Sequence, residues 1–488
     1  MRPELILAIF LAYTALLLVI SFITSRKANS DSYYLGNKQS PWPVVAYGMV
    51  GASLSGVTFI SIPGWVGSSQ FSYMMVVFGY LFGYAVISLV LLPLYYRLNL
   101  TSIYTYLDRR FGFYAYKTGS FYFIVSRLIG ASFRMFLVVN VLQLFIFDHY
   151  HIPFWVTVAL FMLLITLYSY KGGIKTIVWT DMLQTTFMLI SLVVTLIIVL
   201  NKMDLNLSEM IGVVKKEGYS KIIIADWRHD KFYLKQFFSG MFITIVMTGL
   251  DQDMMQKNLS CRNIKDAQKN MTSLSLMLVP ANLLFLFLGA TLFVYANHFG
   301  IVIPELTDNL FPELAINHFG LVAGMVFFIG LIAAAYSSAD SAITALSTSI
   351  SVDFLGSEKK QNKGLNQSNL QRYLIHFGVT TVILIIIVVF REINNQAVIS
   401  RLFTIAGYTY GPLLGLFAFG LFTKNEIKDR YVPLIALAAP VATYFIDTNS
   451  NLLFNGYNFG FELLILNGLL TYIGLWSIRK RSLIQTNF

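Results

Sequence analysis

Apolar residues run in long stretches along this chain, broken by short polar segments. Windows at about 4–23, 43–66, 72–96, 118–147, 153–170, 176–201, 236–256, 271–297, 319–353, 373–391, 397–422, 430–447 and 457–477 are each close to the length of helix that crosses a hydrocarbon core of roughly 30 Å. Thirteen membrane helices are therefore expected. The first window is longer than a signal-peptide core and lacks a small-residue cleavage site, so it is expected to remain as a helix.

Two windows look broken. The second, "YGMVGASLSGVTFISIPG", mixes Gly48, Gly51, Gly56, Pro63 and Gly64 with Ser53, Ser55, Thr58 and Ser61. The seventh, "FFSGMFITIVMTGLDQDMMQK", ends in a sudden polar cluster after Gly249. Interrupted helices at matching places in two halves point to inverted repeats around a midplane binding site, here at 43–201 and 236–422. The glycine pairs Gly79/Gly83 and Gly411/Gly415 read instead as close helix packing.

Composition agrees with a membrane chain. Its 488 residues are 56% hydrophobic and 12% charged, with a mean hydropathy of +0.66. The net charge of +11 points to nucleic acid only if its placement is ignored. Lys and Arg gather in alternate segments, 26–38, 97–117, 171–175, 257–269 (beginning at Lys257), 359–372, 424–430 and 479–481. By the positive-inside rule this puts the N-terminus outside and the C-terminus in the cytoplasm of a plasma (inner) membrane protein. The loop at about 202–235 is the exception, with seven basic residues offset by five acidic ones. The polar loop at 355–372 is expected to be flexible. A single cysteine, Cys261, excludes an internal disulfide.

Candidate chemistry lies at membrane depth, where polar side chains are expensive and by default functional. In "AAAYSSADSAI", Ser337, Ser338, Asp340 and Ser341 fall within about one helical turn. Such oxygens suit a hard monovalent cation, and an unwound "GASLSG" backbone supplies the missing carbonyls. The alternative is that the serines bond their own i−4 carbonyls, which leaves Asp340 and Asp181 unexplained. Asp181, six residues beyond Lys175, also needs a cation. Arg127 and Arg134, seven residues apart, share a helix face; they either pair with Asp181, Asp340 or Asp251, or hold a substrate carboxylate in their planar forks. The six histidines have no zinc-site spacing, and no catalytic triad or phosphate loop stands out, so an enzyme is not indicated.

With "GASLSGVTFISIPG", "LTSIYTYLDRRF", "YKGGIKTIVWTDMLQ", "DQDMMQK" and "AAAYSSADSAI" in this order, the chain resembles the sodium/solute symporter family over about residues 4–478. The resemblance implies an all-α membrane protein with a LeuT-type core of two inverted five-helix repeats, one extra helix before it (4–23) and two after it (430–477). It implies a sodium-coupled secondary active symporter that imports a small polar solute, a sugar, sugar acid or carboxylate, by alternating access. Its partners are that solute and the lipid bilayer, its coupling ion is Na+, and no organic cofactor, nucleic acid or particular oligomeric partner is implied. The shared sodium site would use the carbonyls of Gly51, Leu54 and Ala334 and the hydroxyls of Ser337 and Ser338. The second site of the family's sialic acid symporters would map to Asp181, Ser337, Asp340 and Ser341, where Asp340 replaces a serine and can hold sodium or a proton. Substrate positions would be Ser53, Ser55, Thr58, Tyr73 and Val77, with Arg127 and Arg134 flanking Gly130, which aligns with the family's carboxylate-binding arginine. A proton-coupled transporter of the same fold, or a membrane sensor that binds solute without moving it, are the alternatives.

Overall fold

The computed structural model describes residues 3–25, 35–169, 173–356, 369–393 and 398–480. The basic positions 26, 27, 171, 359, 360 and 363, and most of the 355–372 loop, lie outside the described residues. The main helices are α1 (Pro3–Ser25), α2 (Trp42–Ser69), α3 (Tyr73–Val86), α4 (Phe113–Leu142), α5 (Phe154–Ser169), α6 (Gly173–Lys202), α7 (Tyr233–Thr244), α8 (Gln252–Leu259), α9 (Ile264–His298), α10 (Leu321–Ser349), α11 (Asn369–Ile393), α12 (Val398–Phe422), α13 (Val432–Thr448) and α14 (Leu463–Ser477). Two isolated bridges, Ser40 with Cys261 and Ile427 with Arg479, are the extended pairings among the described residues.

Among the described residues, ten helices are long and apolar enough to cross a membrane, and α5 and α14 are apolar but shorter. The seventh window is divided: α7 runs through a π-turn at Ile245–Gly249, leaves helical geometry at Leu250 and Asp251, and restarts as α8. Length and composition alone therefore vouch for ten of the thirteen expected crossings. Leu89, Ile197, Leu434 and Leu437 are among the large apolar side chains left exposed, as the lipid-facing side of a membrane protein requires.

α2 is the centre of the molecule. Its apolar window is 89% buried, against 33% for α1. It packs on α6, α9 and α10, and α6 and α10 also pack on each other. The approach is close because the contact residues are small. The Gly51 N–H donates to Thr185 Oγ1 at 3.1 Å, and a β-carbon on Gly51 would overlap that hydroxyl. α3 and α7 meet the same way: a β-carbon on Gly79 would come within 2.8 Å of the Met241 amide nitrogen, and one on Gly240 within 2.8 Å of the Val76 carbonyl carbon. In lipid, where apolar surface alone gives helices little reason to associate, such backbone contact supplies the attraction.

The described parts of five basic segments, 26–38, 97–117, 257–269, 424–430 and 479–481, share one end of the molecule. Lys38 bonds Asn99, Tyr96 OH bonds the Asn258 carbonyl, Arg110 bonds the Thr423 carbonyl, and Lys480 bonds the Glu426 carbonyl through its amide. The 202–235 loop gathers elsewhere: Phe71 N–H bonds the Lys221 carbonyl, Lys231 the Ser68 carbonyl and Lys235 the Asn458 carbonyl.

Candidate functional site

Two features of the local fold create the site. In α2 every residue is helical except Ser55, at φ 43° and ψ 176°. A left-handed non-glycine residue is costly, and it frees backbone groups on either side that the helix would otherwise pair. In the seventh span the break at Leu250–Asp251 is capped by Asp251, whose Oδ1 accepts from the Asp253 and Met254 amides.

At the serine cluster of α10, the helices α2, α6 and α10 converge. Ser337, Ser338, Asp340 and Ser341 are all buried. Ser337 Oγ donates to Asp181 Oδ1 at 2.7 Å, so α10 and α6 are tied by a charge-assisted bond. A hydroxyl that donates its proton to a carboxylate leaves its lone pairs available to a cation. Ser338 Oγ lies 3.3 Å from the Ala334 carbonyl, a long i−4 contact, and Ser341 Oγ is buried with no hydrogen-bond partner among the described residues. Asp340 takes Tyr168 OH at 2.9 Å and the Ser341 amide at 2.6 Å. Gly51 and Leu54 lie on the buried stretch of α2 just before its break, and α2 packs on α10, the helix that carries Ala334.

Lys257 departs from expectation. The charge pattern puts it with the basic inner loop, yet it is 1% exposed, on α8, with Nζ 2.7 Å from Asp181 Oδ2 and 3.9 Å from Asp253 Oδ1. Asp181 does have a nearby cation, and it belongs to the protein.

Beside this cluster is a small cavity of about 80 Å³ at the α2 break. Ser53, Ser55, Thr58, Tyr73, Arg127 and Arg134 line it, whereas Val77 is buried outside the lining. Tyr80 and Tyr84 of α3, Thr244 and Thr248 after the start of α7, and Asn282 of α9 line it as well. The tyrosines had a signal in the sequence: 73, 80 and 84 fall on one face of a helix. Asn282 and the two threonines carried the general signal of polar residues inside apolar windows, but were not singled out by it. Tyr73 OH and Tyr80 OH bond at 2.8 Å, and the Trp65, Tyr73, Phe403 and Phe461 rings close in a chain of edge and tilted contacts.

The two arginines separate in role. Arg127 forms an ion pair with Asp253 and lies 3.7 Å from Asp251, which also accepts Tyr410 OH at 2.8 Å. Arg134 makes no ion pair among the described residues, and its Nε is buried with no hydrogen-bond partner while the side chain lines the cavity.

The model of the sodium:solute symporter family matches residues 33–427. The chain is 24% identical to the sodium/sialic acid symporter NanT of Aliivibrio fischeri over 449 residues, 90% of this chain and 86% of that one. It is 24% identical to the sodium/sialic acid symporter SiaT of Proteus mirabilis over 462 residues, 91% and 90% of the two chains. The solved structure of a Na+-coupled sialic acid symporter, in a substrate-bound outward-open state, superposes with a TM-score of 0.76 over 96% of each chain at 22% identity. That likeness bears out the LeuT-type fold that the family resemblance implied.

Proposed function

This chain belongs to the sodium:solute symporter family, and from that premise we propose that the solute it carries with sodium is a small organic carboxylate anchored by Arg134. The protein is a multi-pass membrane transporter, not an enzyme, and it couples Na+ to the movement of a small organic solute. The uncommitted guanidinium of Arg134 at a cavity otherwise lined by hydroxyls, tyrosines and apolar groups carries the finer reading. A buried cation without a counter-ion is costly, and a carboxylate held across the fork removes the cost. Ser53, Ser55 and Thr58 then meet the polar groups of the solute, with Tyr73, Tyr80 and Tyr84 against its body. Both bacterial relatives carry sialic acid by name, an acidic sugar.

Sodium is assigned to the junction of α2 and α10, on the carbonyls of Gly51, Leu54 and Ala334 and the hydroxyls of Ser337 and Ser338. It bridges the broken helix to its neighbour and so favours the arrangement in which the cavity is formed. A ligand shifts such an equilibrium only through its preference for one state, so sodium and solute each raise the affinity for the other. The repeats are assigned to 43–201 and 236–422, an assignment supported by the breaks at Ser55 and Leu250–Asp251 near the middle of the first span of each.

The test is a thermal-shift series on purified protein with sugars, sugar acids, amino acids and carboxylates, each with and without sodium. Carboxylates should stabilise and need sodium to do so. In Ser338→Ala the sodium concentration at half effect should rise on the order of 10-fold, the cost of one oxygen ligand, with the same yield of folded protein. An unchanged sodium requirement in that variant removes Ser338 from the site.

The N-terminus is assigned to the outside and the C-terminus to the cytoplasm, an assignment supported by the shared end of those five basic segments. Burial pushes the Cys261 thiol up to about 12, which leaves a cysteine added elsewhere as the reactive one. His149→Cys should label with a membrane-impermeant maleimide in intact cells and Lys424→Cys only after lysis; the reverse result inverts the topology.

A further inference from the structure

Asp181 meets its charge partner inside the protein. Lys257 Nζ donates to Oδ2 at 2.7 Å and Ser337 Oγ to Oδ1 at 2.7 Å. With its amide nitrogen turned toward the acid, Gln184 also donates to Oδ1 at 3.2 Å. Both carboxylate oxygens therefore receive donors, and one donor brings a full positive charge. Asp340, the other acid of the region, is engaged separately by Tyr168 and the Ser341 amide. Lys257 is fixed by the fold: α8 begins at the break after Leu250 and carries it, 1% exposed, into the space beside α6. Its other acid, Asp253, is one turn earlier on α8 and is already paired with Arg127.

We propose that Lys257 is a tethered cation that takes the place of a second sodium at Asp181, so that each cycle couples to a single sodium ion bound between α2 and α10. This rests on the reading of the protein as a sodium symporter. An ammonium on a helix supplies the charge that Asp181 needs, yet it is not released on the other side of the membrane, so it adds nothing to the ion count. A sodium ion entering between Asp181 and Lys257 would put two like charges a few ångströms apart in a buried site with one carboxylate between them. Lys257 also spans the gap from Asp181 to Asp253, and Asp253 pairs with Arg127 at the edge of the solute cavity. The ammonium thereby joins the cation end to the solute end through ion pairs rather than through a second transported ion.

Equilibrium binding of radioactive sodium to purified protein, without solute, tests this independently of what the solute is. Wild type should bind one ion with a Hill coefficient of about 1, and Lys257→Gln, which frees Asp181, should bind two with a coefficient rising toward about 2. If Lys257→Gln is poorly stable because Asp181 is left buried and bare, its melting temperature should rise with sodium far more than that of wild type and should not respond to choline. Two ions on the wild type, or a Lys257→Gln protein that binds one ion and gains no more from sodium than wild type does, overturns the role of Lys257 and leaves sodium symport standing. No sodium bound by any of the folded proteins overturns both.

Discussion

Arg134→Ala should bind a carboxylate solute on the order of 30- to 4,000-fold more weakly than wild type while remaining folded. Truncating one partner of a buried, hydrogen-bonded charge pair costs about 2–5 kcal/mol, and each 1.4 kcal/mol is about tenfold in affinity. The folded state tolerates the change because Arg134, unlike Arg127, makes no direct ion pair among the described residues, and its Nε lacks a partner there. Arg134→Lys keeps the charge but loses the planar fork, so it should recover only part of the affinity. Isothermal titration of the solute in saturating sodium reads the effect, and sodium-induced stabilisation without solute should persist in both variants. Equal loss of affinity for a neutral analogue would mean that Arg134 shapes the cavity rather than anchoring a carboxylate.

The scaffold was readable because it rests on two strong signals. Long apolar windows fix helices in lipid, and Gly-Ser interruptions at Gly51–Gly56 and around Gly249 mark where they break. The break itself fell on Ser55 rather than on a glycine, since the helix was interrupted where α2 turns past the cavity and not where its backbone is most permissive. The serines and acids of the α10 segment were also legible, because polar residues at membrane depth are few. Lys257 was not. It adjoins a basic loop, and charge counting along the chain treats every lysine there as exposed; that α8 turns it inward depends on the geometry after Leu250. Tyr168 was missed for a related reason, because a tyrosine in an apolar helix reads as packing until its hydroxyl is seen on Asp340. Two arginines seven residues apart were equivalent in the sequence, and only the position of Asp253 and Asp251 near one of them separates their roles.

That separation has a second consequence, opposite in kind to the first. Arg127→Met should destabilise the protein by about 3–5 kcal/mol, because it leaves Asp253 and Asp251 buried with their guanidinium gone. Tyr410 OH still reaches Asp251, but Asp253 would keep only Lys257 at 3.9 Å, and Lys257 is held by Asp181. The expected result is a large loss of monodisperse protein in detergent and a lower melting temperature for what remains. Arg127→Met/Asp253→Asn should regain part of the loss, since the acid and its partner then disappear together. The two arginine variants should therefore cross over, with Arg134→Ala stable but poor in solute binding and Arg127→Met unstable for reasons that solute cannot repair. If Arg127→Met instead melted at the wild-type temperature and failed only in solute binding, Arg127 would be the anchor of the carboxylate, and Asp253 and Asp251 would be the groups that hold it in place.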